Sequence, residues 1–567
     1  MTILTEDLRL TATFSGYGFG NQITFSHDGG LMVIGAGPHA YPDIPGTAQG
    51  AVYIYDTSDF SAPLAVLQPT LLADDYFGYS VSLSADGSLL LVSAPGDDHD
   101  REEDPSVFDP SYINDTGMVY VYDLSGTAPL LAGTMQAPDG LTGYDRFGEE
   151  IVLSADGTRA MIMAVQPTAV GGAAQVHVYD FSGSTPTFLY TIDTAPAGNP
   201  AGGGFGRGMV LSADGTLAAI SAPFEMSGTS QGAIYLYDLS GAAPAFVARI
   251  AEPATGVRAS FGEHMALSAD GTVLVASADD VGTAGLFDAT RGGSVHVYDL
   301  DETGAPTLRM SFTAGDNDVL DQFGQDIALT ADGKTLYVGA PGWDGPDLNT
   351  TTGDDVNDGA IYVYDISGDA PVLMLMQLES DDPRIPYMGW DIGASGDGSI
   401  SAGAWNRTPP LDQQVDIYRT EFLTWDRRVG TDGEDELTGS AGSQAMFGAS
   451  GRDLMSGRAG DDWIDGGRGG DTLRGGAGDD VLIDGFGQDR MIGGAGADTF
   501  VLERDGQVDR VIDFETGIDT LDLRSWGATG FADLAVTDLG SATRIAFEDE
   551  ILLLRGDAPL DSDILFS

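Results

Sequence analysis

The chain has 567 residues, enough for one large domain and a smaller one. It contains no cysteine, which excludes disulfides, thiolate metal sites and a cysteine nucleophile. Its 87 acidic against 25 basic residues leave a formal net charge of −62, which repels nucleic acid and anionic membranes and attracts cations.

The N-terminus, Met1-Thr2-Ile3-Leu4-Thr5-Glu6-Asp7, lacks the basic and apolar regions of a secretory signal peptide. No apolar run is long enough to span a membrane. Residues 8–13 read as a single strand ahead of a repeating region.

Up to about residue 420 one unit recurs seven times. A Phe-Gly pair opens it at Phe19, Phe77, Phe147, Phe205, Phe261 and Phe323, with Met388-Gly389 as a divergent seventh. Nine residues after each start stands an Asp-Gly hairpin signal, at Asp28, Asp86, Asp156, Asp214, Asp270, Asp332 and Asp397. Alternating apolar sequence on both sides predicts two strands. After a connection of variable length comes a third strand of the type Val52-Tyr53-Ile54-Tyr55-Asp56, in which His177 and His296 replace the first Tyr of units three and five. A fourth strand leads to the next Phe-Gly. Four strands per unit and seven units predict a β-propeller. Unit seven has no fourth strand of its own, so residues 8–13 are expected to complete it and close the ring.

These units resemble the FG-GAP repeat of integrin α-chain propellers and bacterial surface proteins, through Phe-Gly, Ala-Pro-Gly and Val-Tyr-Val-Tyr-Asp. Integrin propellers carry Asp-rich calcium loops within several repeats. The fixed nine-residue step to Asp-Gly leaves no room for one there, so no calcium site is carried over to the propeller. Asp316 and Asp318 are a weak cation signal, a pairing more often just a solvated loop.

In an up-and-down blade the connections between strands two and three share a face with those between blades. The long segments 37–50, 95–117, 278–293, 341–359 and 405–412 therefore fall on one face. They hold Tyr41, Phe108, Tyr112, Trp343 and Trp405 among many acids, a mixture suited to binding a glycan or a protein. The alternative is a hydrated loop face with packing anchors. The six histidines are scattered. His177 and His296 read as packing residues, His27 lies in a hairpin, and His264 lies on a first strand facing the central channel. No nucleophile elbow or metal-ligand spacing appears in the blades, so no catalytic residue is assigned.

From Gly430 the period becomes nine, in blocks starting at Gly430, Gly439, Gly448, Gly457, Gly466, Gly475, Asp484 and Gly493. The fourth position holds Gly433, Gly442, Gly451, Gly460, Gly469, Gly478, Gly487 and Gly496. At the sixth stand Asp435, Gln444, Asp453, Asp462, Asp471, Asp480, Asp489 and Asp498. The eighth is always apolar, from Leu437 to Phe500. A disordered acidic linker would have no need of that register. The pattern resembles the RTX repeat, which implies a calcium-binding parallel β-roll. Two blocks form one turn, so the aspartates stack in two columns. Their carboxylates, with the carbonyls of the turn glycines (Gly433, Gly451, Gly460, Gly469, Gly478, Gly487 and Gly496), supply the oxygens that calcium needs. Gln444 is neutral, so a site using it is expected to be weak or empty.

After the roll, residues 509–514 and 517–523 look like the cap common in RTX proteins, and the terminal Asp563-Ile564-Leu565-Phe566-Ser567 resembles a type I secretion signal. The expected organisation is all-β: a seven-bladed propeller over 1–425, a parallel β-roll over 426–501, and a cap with secretion signal over 502–567. The expected function is that of a secreted calcium-binding protein, exported by type I secretion machinery, whose propeller binds an extracellular glycan, protein or surface. No nucleic acid partner and no membrane span are expected. The alternative is a secreted hydrolase or lyase acting on a polysaccharide or another polymer. A buried convergent carboxylate pair in the propeller face would mark the enzyme, and a flat acidic surface the binding protein.

Overall fold

A computed structural model describes residues 2–4, 8–11, 18–37, 50–68, 75–97, 116–138, 146–166, 173–183, 185–192, 203–227, 230–253, 258–278, 293–314, 322–342, 359–378, 388–405, 414–419, 426–431 and 433–566, the last without 527, 529, 541, 549, 557 and 558. It is all-β, with short 3-10 turns only near the C-terminus among the described residues.

Seven sheets form the propeller, each with four antiparallel strands that are consecutive in the chain in every blade but the last. In the first blade these are Phe19–Phe25, Leu31–Ala36, Ala51–Asp56 and Ala65–Leu67. The last blade contributes Met388–Ala394, Ile400–Trp405 and Gln414–Arg419, and its fourth strand is Leu8–Thr11, paired antiparallel with Leu8 opposite Ile417 and Thr11 opposite Gln414. The ring is thus closed by the segment expected to close it. A further N-terminal strand, Thr2–Leu4, runs parallel to Val372–Leu378 and adds a fifth strand to blade six. That pairing is not foreseeable from the repeat, because the strand belongs to no unit.

The repeated residues hold the blades together in three ways. Each Phe of a Phe-Gly pair is buried and meets the ring opening strand three edge-on or tilted, as in Phe19–Tyr53 at 5.1 Å and Phe77–Tyr120 at 5.3 Å. His177 and His296 are that partner for Phe147 and Phe261, at 5.9 and 5.6 Å. The following glycine has φ near +82 to +95° in all seven blades, a conformation that a side chain strains to adopt. A Cβ on Gly78 would also strike the carbonyl of Ala51.

The Asp-Gly hairpins form the second and third devices. Asp86 Oδ1 accepts bonds from Ser84 Oγ at 2.7 Å and from Ser88 N at 3.0 Å, and the same arrangement recurs around the ring. Backbone hydrogen bonds then link every hairpin to the next: His27 N to Ala85 O, Ala85 N to Ala155 O, and onward through Asp156, Ala213, Ala269 and Ala331 until Asp397 N reaches His27 O, at 2.8–3.2 Å throughout.

The nine-residue blocks coil into a parallel roll. Its two main sheets begin with Asp426–Val429, Gln444–Phe447 and Trp463–Asp465 on one side and Glu436–Thr438, Leu454–Ser456 and Thr472–Ala477 on the other. Each strand pairs with the one two blocks on, Leu437 opposite Met455 and Met455 opposite Leu473. The apolar eighth residues Met446, Met455, Ile464, Leu473, Leu482, Met491 and Phe500 line a shared fully buried core. Parallel pairing continues past residue 501: Val508–Phe514 pairs with Arg490–Ala495, Thr520–Asp522 with Thr499–Val501, and Ile564–Leu565 with Thr520–Asp522. The C-terminal tail is therefore a strand of the roll.

The first roll strand rests on blade six. Arg427 Nη1 donates to Thr335 Oγ1 at 2.8 Å and lies 3.4 Å from Asp365 Oδ2. Ala445 and Phe447 join the apolar cluster of Val363 and Met374.

Candidate functional site

The turns of the roll set the sixth residue of each block, an aspartate everywhere but at Gln444, alternately into two columns. On one side Asp435 N donates to Asp453 Oδ1 at 2.8 Å, Asp453 N to Asp471 Oδ1 at 2.7 Å, and Asp471 N to Asp489 Oδ1 at 2.6 Å. On the other, Gln444 N donates to Asp462 Oδ1, Asp462 N to Asp480 Oδ1 and Asp480 N to Asp498 Oδ1, at 2.8–3.0 Å. Each carboxylate thus spends one oxygen bridging two layers. The second oxygen, Oδ2, of Asp453, Asp462, Asp471, Asp480 and Asp489 is buried with no hydrogen-bond partner. A buried carboxylate oxygen without a partner is costly unless a cation or proton joins it.

Electrostatics express the same strain. Burial, partly offset by the backbone N–H bond to each carboxylate, pushes Asp471 and Asp480 up to about 7, Asp489 to about 8, and Asp462 and Asp498 to about 6. Neighbouring acids in the columns add to these rises.

Glycines leave the room. At the first position of a block, a Cβ on Gly457, Gly475 or Gly493 would collide with Oδ2 of Asp462, Asp480 or Asp498. At the fourth position, the Cβ of Gly469, Gly478, Gly487 or Gly496 would strike the carbonyl of the equivalent glycine one turn earlier, and that of Gly451 the carbonyl of Gly433. A Cβ on Gly460 would meet the carbonyl carbon of Gly442. The turn carbonyls therefore stack in columns beside the aspartates. Among the described residues no three acidic or histidine side chains are grouped so as to hold a metal ion by themselves. The oxygens on offer come instead from single carboxylates and backbone carbonyls, an all-oxygen set suited to a hard cation.

The first turn differs. Asp435 is only half-buried, and its Oδ2 accepts from Thr431 N at 2.7 Å and Thr431 Oγ1 at 2.9 Å. Gln444 Oε1 accepts from Ser440 N at 2.7 Å, while its Nε2 donates to Gly442 O and Ser440 Oγ. An amide N–H there occupies the carbonyl that a cation would use in an aspartate block. Beyond the repeats the columns continue through Asp509, whose Oδ1 accepts from Asp489 N at 2.9 Å, and Asp519, whose Oδ1 accepts from Asp498 N at 3.0 Å. Their spacings of 20 and 21 residues break the nine-residue period, which is why the repeat frame passes over them.

The propeller holds a second candidate site, an axial cavity of about 500 Å³ lined by the inner strands of all seven blades. Its polar residues stand just after the Phe-Gly pairs, at the strand ends nearest the long connections. Residues three steps after the Phe-Gly starts, among them Ser80 behind the cavity lining, also stitch the blades together. Asp391 Oδ1 accepts from Ile23 N at 2.9 Å, Asp326 Oδ2 from Ile392 N at 2.7 Å, Gln22 Oε1 from Val81 N, and Ser80 Oγ from Ile151 N at 3.3 Å. His264 Nδ1 lies 3.1 Å from Asp326 Oδ1. Desolvation, with the charge of Glu149, pushes Glu150 up to about 8. Desolvation and the charge of Asp326 hold Asp391 well above the ordinary carboxylate range.

His264 thus lines the channel, as expected. His177 and His296 are buried packing residues, bonded to Thr191 Oγ1 at 2.9 Å and Ser311 Oγ at 2.8 Å, and burial lowers His296 to about 4. Tyr41, Phe108, Tyr112 and Trp343 lie outside the described residues, as do Asp316 and Asp318. Trp405 ends the strand Ile400–Trp405, and its side chain is likewise outside them.

Fold and ladder together define a β-propeller protein with a calcium-binding parallel roll. The RTX calcium-binding nonapeptide repeat matches in four copies, at residues 429–464, 438–473, 447–482 and 465–500. The FG-GAP repeat matches at residues 71–108, in blade two. The chain therefore carries both kinds of repeat, and the RTX repeats are calcium-binding. No curated protein matches the chain.

Similar solved structures are propellers of low identity. The Dos1 propeller is 13% identical, covering 73% of this chain and 95% of its own, with a TM-score of 0.42. The periplasmic gluconolactonase of Pseudomonas aeruginosa is 16% identical, covering 61% and 81%, with a TM-score of 0.37. An oligogalacturonate lyase in complex with manganese is 12% identical, covering 74% and 100%, with a TM-score of 0.39. No helix among the described residues is long and apolar enough to cross a membrane.

Proposed function

We propose that this is a secreted protein, exported by type I machinery, whose roll orders on binding calcium outside the cell and whose propeller binds an extracellular glycan, protein or surface. The carrying observation is the set of buried Oδ2 atoms of Asp453, Asp462, Asp471, Asp480 and Asp489, each without a partner between two layers. Asp498, on the same ladder, belongs with them. Bound calcium supplies positive charge at these oxygens. The aspartates hold it through Oδ2, the glycine carbonyls complete the oxygen set, and the backbone bonds at Oδ1 keep the layers in register. Extracellular modules bind calcium at about 10⁻⁴–10⁻³ M, so cytosolic calcium leaves such a roll unfolded and fit for export.

Hydrogen exchange of the full chain tests this. Amides of residues 430–501 should gain protection on calcium addition and lose it with chelator. Asp471→Ala should raise the calcium midpoint, while Gln444→Ala should leave it nearly unchanged. Protection indifferent to calcium would refute the reading.

For the propeller, the axial cavity supports ligand binding at the long-connection face. Trp343→Ala or Trp405→Ala should cost about 2 kcal/mol of binding if either anchors the ligand. A second reading, a polymer-degrading hydrolase or lyase, is favoured by the carboxylates of Glu150, Asp326 and Asp391 gathered in that cavity. Screening glycans and polymers for binding and turnover separates the two. Turnover lost in Glu150→Gln would establish the enzyme, and binding without turnover would establish the recognition protein.

A further inference from the structure

The chain has only 25 basic residues against 87 acidic ones, yet one sheet face of the roll is basic. The strands Arg490–Ala495, Val508–Phe514, Glu550–Gly556 and Thr543–Phe547 lie side by side in its eight-stranded sheet. Their register sets Thr472, Arg490, Arg510, Leu553, Arg544 and Thr537 in one row across the strands. The neighbours Met491, Val511, Leu552 and Ile545 point into the core, so the row points outward. Arg510 is exposed, and Arg490 and Arg544 are half-buried. Among the described residues none of these three guanidinium groups has an ion pair or a hydrogen bond, whereas Arg504 nearby pairs with Glu548. Arg490 and Arg510 are directly opposed, a like-charge pairing that costs stability and that no acid in the row offsets. Arg474, opposite Ile492 in the next row, is exposed as well.

The propeller carries the complementary chemistry on its rim. The outer strands of blades two, three and four set Leu131, Phe188 and Phe246 opposite Tyr122, Tyr179 and Tyr237. These three side chains are 48, 41 and 46% exposed, and together they form an apolar rim open to solvent. The next residue of each third strand is Asp123, Asp180 or Asp238. Hydrogen bonds from the hydroxyl and the N–H of the serine two residues on hold each carboxyl below its ordinary range, so all three are ionised. Blade six shows such a rim covered: its equivalent, Leu373 opposite Tyr364, is half-buried in the cleft where Phe447 of the roll rests on the propeller.

We propose that the arginine row of one molecule docks on the rim of blades two to four of a second copy of this chain, so that copies join head to tail.

Arginine joins a charged head to an apolar stem and is enriched in protein interfaces, where acids and apolar side chains meet it together. In this contact the stems and Leu553 cover Leu131, Phe188 and Phe246, and the guanidinium groups face Asp123, Asp180 and Asp238. The two surfaces lie on different domains, so the contact is heterologous and adds copies in series. A net charge of −62 makes copies repel at a distance. At physiological salt, screening limits that repulsion to about 8 Å, so the facing groups decide the contact.

Sedimentation of the full chain in calcium, at about 0.15 M salt, tests this. The natural chain should form a concentration-dependent series of dimers and longer species. Arg490→Glu with Arg510→Glu should weaken association about a hundredfold, and so should Leu130→Lys with Leu131→Lys, which turns the blade-two rim positive. Both pairs change solvent-facing side chains, so thermal unfolding should match that of the natural chain. Arg490→Gln with Arg510→Gln, a milder pair, should weaken association in the same direction. Mixed in equal amounts, the two charge-reversed chains should form one-to-one pairs and nothing larger, because each retains one intact face. A natural chain that stays monomeric up to about 0.1 mM, or charge-reversed chains that do not pair with each other, would overturn the proposal. So would retention of alginate by a monomeric natural chain through the same arginines, which would make the face a polyanion site.

Discussion

Asp471 is pulled in two directions. Its Oδ1 is committed to the N–H of Asp453, while its buried Oδ2 has no partner, so a proton or a cation must occupy that place. The same tension runs through Asp462, Asp480 and Asp489, and these three with Asp498 are held at about 6 to 8 in the folded, metal-free roll. An unfolded aspartate titrates near ~3.9. Because the folded values are raised, the metal-free roll keeps its full stability below about pH 4 and loses it as pH rises through the 6–8 window. Metal-free chain should therefore show more protected amides in residues 444–501 at pH 5 than at pH 8. In calcium the order reverses, because the cation competes with protons for the same oxygens, and the calcium midpoint should fall between pH 6 and pH 8. Hydrogen exchange at the two pH values, with and without chelator, reads both effects. Of this chemistry, the sixth-position aspartates were legible in the sequence. Asp509 and Asp519 were not, since they follow spacings of 20 and 21 residues that match no block.

At the scale of the strand, the pair formed by Phe-Gly and strand three is the unit of blade packing. Phe147 is fully buried and meets both His177 and Tyr179. Phe147→Ala should destabilise the propeller by about 3–5 kcal/mol through lost burial and a residual cavity. His177→Tyr, which installs the ring found in most other blades, should change stability by far less. Thermal or denaturant unfolding of the calcium-loaded chain measures the difference, and an equal cost for the two would contradict a packing role for His177. The Phe-Gly spacing and the Asp-Gly hairpins could be read from sequence. The side chains of Gln22, Ser80, Asp326 and Asp391, which reach across to the next blade, could not. They occupy the same step after Phe-Gly but differ in residue type, so no motif marks them.

At the scale of the whole molecule, two N-terminal strands act as a clasp. Leu8–Thr11 completes blade seven and Thr2–Leu4 extends blade six. Deleting residues 1–14 leaves Gln414–Arg419 with an unpaired edge, and such edges invite aggregation. The truncated chain should lose cooperative melting of the propeller and form larger species by light scattering. An unchanged melting temperature would contradict closure by this segment. Blade six also carries the roll, through Arg427 bonded to Thr335 and Phe447 packed in the cluster of Met374. Its two faces of attachment make it the point where calcium-dependent order in the roll meets the propeller.

The amino-acid sequence by itself determined the periods: seven Phe-Gly units, eight nine-residue blocks, and with them the two architectures and their order. Periodicity is a local property, since turns, strand alternation and positive-φ glycines recur at fixed distances along the chain. Tertiary structure decided what lies between distant residues. It brought the first strands to the last blades, turned the C-terminal tail into a roll strand, and gathered Glu150, Asp326, Asp391 and His264 around one axial cavity. These contacts depend on how closure and coiling superimpose segments, and the burial that leaves carboxylate oxygens without partners arises only once the layers are stacked.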